Sequence, residues 1–71
     1  MPIINATTGG YSVTLVLSDN DLDRMKSLND GETVQLDDPD FISASRNDDL
    51  IIVLERNGRT YDVSYYSILV L

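Results

Sequence analysis

Ten of the twelve carboxylates in this chain fall between Asp19 and Asp49, and the other two are Glu55 and Asp62. Only Arg24, Lys26 and Arg46 oppose them in that stretch, so the whole formal charge of −7 is concentrated there. Clustered carboxylates have three chemistries open to them. They can hold a hard cation, which takes oxygen ligands. A pair can work as general acid and base if a pocket separates their pKa values. They can also imitate the spaced charges of a nucleic-acid backbone and draw in a basic groove.

The first two chemistries find little in the pattern. Asp19-Asn20-Asp21-Leu22-Asp23 opens like a calcium-binding EF-hand loop, with Asp30 at its twelfth position. Arg24 stands where that loop needs glycine, however, and the last ligand is Asp where a bidentate Glu is usual. Asp37, Asp38 and Asp40, with Asp48 and Asp49 expected nearby, are the other candidate cation cluster, and two solvated loops are the simpler reading. The chain has no histidine or cysteine. That removes imidazole and thiolate as ligands or nucleophiles, and disulfides as staples. A chain of 71 residues can hardly enclose a pocket that splits two carboxylate pKa values. The expectation is a protein without cofactor, metal or catalytic residues, not an enzyme. Gly9-Gly10 lacks the spacing and the lysine of a phosphate loop and reads as a turn.

The elements that position these residues follow from spacing. Tyr11 to Leu17 alternates as a half-buried strand, and Ile3-Ile4 suggests a short strand before it. Ser18 suits a helix N-cap, with Asp19 and Asp21 in the favourable first turn. Leu17 and Leu22 occupy the positions of a hydrophobic staple, and Leu22, Met25 and Leu28 form one apolar stripe. Asn29-Asp30-Gly31 is expected to close the helix. Glu32 to Leu36 reads as a strand, Asp37-Asp38-Pro39-Asp40 as a loop, Phe41 to Ser45 as a weak strand, and Arg46 to Asp49 as a turn.

Asn57-Gly58 favours a two-residue hairpin. That register sets Arg56 opposite Arg59 and gathers Leu50, Ile52, Leu54, Tyr61, Val63 and Tyr65 on one face. Ile51, Val53, Glu55, Thr60, Asp62 and Ser64 then take the other. The paired arginines could meet a partner's carboxylate or phosphate, or be neutralised by Glu55 and Asp62. Tyr66 falls on the less apolar face and is the better interface aromatic. Ile68 to Leu71 reads as a last strand, either central or paired with another chain. The fold class is α+β in the order β-β-α-β-(β)-β-β. A mostly antiparallel sheet of about five strands, free to curl into a partial barrel, carries one short helix on a face. Residues 1–71 form one small acidic domain.

The leading functional expectation is a binding protein, an acidic inhibitor or decoy of a nucleic-acid-binding protein such as a nuclease or restriction enzyme. Asp19, Asp21, Asp23, Asp37, Asp38, Asp40, Asp48, Asp49 and Tyr66 would touch the partner. Small size, strong acidity and absent catalytic residues are also general features of phage-encoded counter-defence proteins, anti-restriction and anti-CRISPR inhibitors among them. Direct binding to nucleic acid or anionic membrane is disfavoured, because phosphate needs positive charge. The alternative is a small structural adaptor that homodimerises, or adds a strand to a partner, through its apolar C-terminal strand. With no secretory signal visible and no apolar run of membrane-spanning length, a cytoplasmic location is expected.

Overall fold

Two glycines set the first hairpin. Gly9 and Gly10 have φ of 55° and 83°, the pair of positive angles that a two-residue type I′ turn needs and a side chain resists. A computed structural model describes residues 1–71. In it β1 (Ile3–Thr8) runs antiparallel to β2 (Tyr11–Val16), paired from Thr8↔Tyr11 back to Ile3↔Val16. The first strand is therefore longer than Ile3-Ile4 alone suggested.

Ser18 then caps α1 (Asp19–Lys26): its Oγ accepts the Asp21 N–H at 3.1 Å. Leu17 and Leu22 are both buried, as a staple requires, and so are Met25 and Leu28. The helix ends earlier than Asn29-Asp30-Gly31. Ser27 donates both its N–H and its hydroxyl to the Asp23 carbonyl, and the Asn29 N–H turns to Glu32 Oε1 at 2.7 Å. A serine bonding back to the previous turn competes with helix propagation. Residues 29–31 form the link to the next strand.

Four strands and a final helical turn follow: β3 (Thr33–Gln35), β4 (Phe41–Asn47), β5 (Leu50–Glu55), β6 (Thr60–Ser64) and α2 (Tyr65–Ile68). The sheet is antiparallel throughout, in the order β2-β1-β6-β5-β4-β3, and remains open with β2 and β3 as its edges. This is the expected α+β class with one helix packed against the sheet. The sheet has six strands because β4, weak by pattern, is laddered on both sides.

The C-terminal hairpin corrects the expected register. Ile51 pairs with Val63 and Val53 with Tyr61, one residue away from the two-residue-loop alignment. The Glu55 N–H bonds the Arg59 carbonyl, and the Gly58 N–H bonds the Glu55 carbonyl, so the loop is Arg56-Asn57-Gly58. Gly58 has φ 96° while Asn57 has none of the positive φ that a type I′ turn demands. Ile51, Val53, Tyr61 and Val63 therefore face the core together, and Ile52 is exposed on the other side. The expected sorting had put Ile51 and Val53 opposite Tyr61. Arg56 lies in the loop and does not oppose Arg59; its Nε donates to the Pro39 carbonyl at 2.9 Å.

The C-terminal segment is also not a strand. Tyr65 turns into α2, where Ile68 is fully buried, and Val70 just beyond it is 85% exposed. The Tyr65 N–H bonds the Asp49 carbonyl, and its hydroxyl donates to the Lys26 carbonyl at 2.9 Å. A rigid tie at each end of Tyr65 bends the chain off the sheet. One apolar core joins both layers: Ile4, Leu15, Leu17, Ala44, Ile51, Val53 and Val63 from the sheet side meet Leu22, Met25 and Ile68 from the helices. The outer face of the sheet mixes hydroxyl residues (Thr7, Ser12, Thr14, Ser43, Ser45 and Ser64), with Asp62 among them, and an apolar row of Leu50, Ile52 and Leu54 on β5.

Candidate functional site

The acids lie on α1, in the link from α1 to β3 (Asp30 and Glu32) and in the loops at the two ends of β4. At the first end, Asp21 is buried and turned inward. Its carboxylate accepts the Asp37 N–H at 3.0 Å, the Asp38 N–H at 3.1 Å and Arg24 Nη1 at 3.2 Å. Arg24 reaches on to Asp37 Oδ2 at 2.9 Å. Asp21 thus fastens the 37–40 loop to the helix. It cannot be part of a contact surface, which corrects its expected role: the first helical turn holds this loop as well as its own cap. Asp38 is half-buried, and its Oδ1 accepts the Asp40 N–H at 2.8 Å, an Asx turn that shapes the loop.

At the other end, Asp30 Oδ1 accepts the Asp48 N–H at 2.7 Å. Asp48 has φ 55°, and no other non-glycine residue takes a positive φ. Asp tolerates that region better than most residues. Arg46 holds this corner. Its Nε donates to the Asp48 carbonyl at 2.7 Å, its Nη1 to the Leu28 carbonyl at 2.8 Å, and its guanidinium lies 3.7 Å from the centre of the Tyr65 ring. Between the two ends, an open groove of about 370 Å³ runs between α1 and β3, with Asp23 and Glu32 on its walls.

The two loop clusters are not neighbours. β4 runs from Phe41 to Asn47, six steps that at ~3.3 Å each hold the loops at its two ends roughly 20 Å apart. The expected meeting of Asp37, Asp38 and Asp40 with Asp48 and Asp49 does not occur, because an extended strand separates them. No three carboxylates converge as a chelating group would require.

Asp19, Asp23, Asp40, Asp48 and Asp49 are exposed and their carboxylates make no hydrogen bond or ion pair within the chain. Asp37 is exposed but paired. Every cation of the segment is engaged: Arg24 by Asp21 and Asp37, Arg46 by carbonyls and a ring, Lys26 by the Leu71 carbonyl. Asp30 and Glu32 are also exposed on this surface, although neither was among the expected partner contacts. Tyr66 is 57% exposed on α2, edge-on to Tyr65 at 5.5 Å between ring centres.

One phenol beyond this surface is perturbed. Tyr61 donates its hydroxyl hydrogen to Glu55 Oε1 at 2.9 Å. That bond first, then burial and the nearby negative charge, raises its pKa above the usual phenol value, while Arg59 opposes the rise. No helix is long and apolar enough to cross a membrane. The chain matches no protein-family model, no curated protein and no solved structure.

Proposed function

We propose that this chain is a non-catalytic inhibitor that places its carboxylates in the basic groove of a nucleic-acid-binding protein, a decoy of the phage counter-defence type. One observation carries the reading. Five exposed carboxylates have no partner within the chain, while Arg24, Lys26 and Arg46 are committed to other groups. Such a surface keeps a net negative field over α1 and both ends of β4, because three cations offset only three of its ten acids. It speeds encounter with a positive groove and repels acidic partners. The roughly 20 Å between the loop clusters suits an extended groove better than a point contact.

The test is competition. The protein should displace duplex DNA from a basic nuclease, restriction enzyme or CRISPR effector in a gel-shift titration. A variant with Asp19, Asp23, Asp40, Asp48 and Asp49 all changed to Asn should not. Equal behaviour of the two proteins across such a panel would refute the decoy reading.

A further inference from the structure

The antiparallel ladder leaves one sheet edge open. In β1–β2 the residues that exchange backbone bonds alternate with those that do not. The hairpin closes at Thr8↔Tyr11, and the Leu17 N–H bonds the Pro2 carbonyl at 3.2 Å. Tyr11, Val13, Leu15 and Leu17 therefore bond inward. The N–H and C=O groups of Ser12, Thr14 and Val16 point outward from the edge. β2 has none of the usual defences of an exposed edge: no charge, no proline and no bulge over six residues. The other edge is defended, since β3 has three residues with Glu32 before it and Asp37 and Asp38 just beyond.

We propose that β2 is a self-pairing edge, through which two copies of this chain join antiparallel about Thr14 into one continuous sheet. The register is self-complementary. Thr14 meets Thr14, Ser12 meets Val16, and all six outward backbone groups of each copy find partners. Val13 lies across from Leu15, and Tyr11, 75% exposed in the single chain, lies across from Leu17. Exposed Val16, beside Ile3 on the outer face of this hairpin, then lies next to Ser12 of the second copy.

The charge pattern makes this edge the place where two copies can meet. Two chains of −7 repel through most of their surfaces, but residues 2–18 carry no ionisable side chain except Tyr11. In the sheet order β2 stands four strands from β4, or ~19 Å at the usual spacing, well beyond the ~8 Å screening length of physiological salt. Asp19, the nearest acid in sequence, falls toward the uncharged Gly9-Gly10 turn of the other copy.

Sedimentation velocity over a concentration series tests this. The expected result is a mass that doubles with concentration, and Thr14→Lys, an exposed change on the outer face, returns it to monomer while the circular dichroism spectrum stays unchanged. Thr14→Pro deletes an outward N–H that β1 does not use and should act alike. As a positional check, the cysteine-free chain carrying Thr14→Cys should be joined by a short bis-maleimide, and the same change at Gln35 on the β3 edge should not. A monomer up to about 1 mM, a dimer indifferent to both Thr14 variants, or cross-linking only at position 35 would overturn the proposal. So would a chain that stays monomeric while this edge takes up a foreign extended peptide.

Discussion

Asp21 shows how one side chain can look like surface chemistry and be architecture. Its carboxylate is desolvated, and it is matched by two backbone N–H groups and a guanidinium. Removing one partner of such a buried set leaves the others unpaired. Asp21→Ala should therefore lower the unfolding free energy by about 3 kcal/mol, read by urea denaturation. A loss within about 0.5 kcal/mol, the range of an ordinary surface change, would contradict the assignment. Tyr61 makes the second prediction at this scale. Its native pKa is raised, so below the unfolded value of about 10 both states are protonated and its stabilisation is intact. As pH climbs past that value the unfolded chain loses its proton first, and stability falls until the native phenol also ionises. Unfolding followed from pH 9 to pH 11 should show this decline, and Tyr61→Phe should lessen it. An identical decline in the variant would mean that other groups cause it.

At the scale of elements, the C-terminal hairpin turns on Gly58, whose φ of 96° lets Glu55 pair with Arg59 across a three-residue loop. Gly58→Ala should cost about 1–2 kcal/mol in thermal or urea unfolding, while Asn57→Ala should cost much less. Equal losses would favour the two-residue turn instead. This hairpin also marks where the sequence stops being readable. Leu50 to Leu54 is apolar at every position, so alternation could not tell which residues face the core, and the turn dipeptide suggested the wrong alignment. The Ser18 cap, the Leu17/Leu22 pair and the Tyr11–Leu17 strand were legible, because each rests on a local rule that needs no distant partner. The C-terminal turn was not, since its bend depends on Tyr65 reaching Asp49 and Lys26, residues remote in sequence. The acidic stretch was visible as composition. Which of its acids build loops and which stay free depended on contacts such as Asp30 with Asp48 and Asp21 with Asp37.

Over the whole molecule, charge and chain order are separated. The first hairpin has no ionisable side chain except Tyr11, the outer sheet face is rich in hydroxyls, and the acids gather on α1, on the link before β3 and at the ends of β4. Asp19, Asp23, Asp40, Asp48 and Asp49 supply five of the seven net negative charges and hold nothing together internally. Their replacement by Asn should leave the fold's stability nearly unchanged. The most direct measurement is displacement of duplex DNA from a basic nucleic-acid-binding enzyme, run from about 50 to 200 mM salt, where contacts between opposite charges weaken steeply. We predict displacement by the native chain that fades across this range and is absent with the five-Asn variant at every salt concentration. Displacement that ignores salt, or that survives loss of the five carboxylates, would contradict the account.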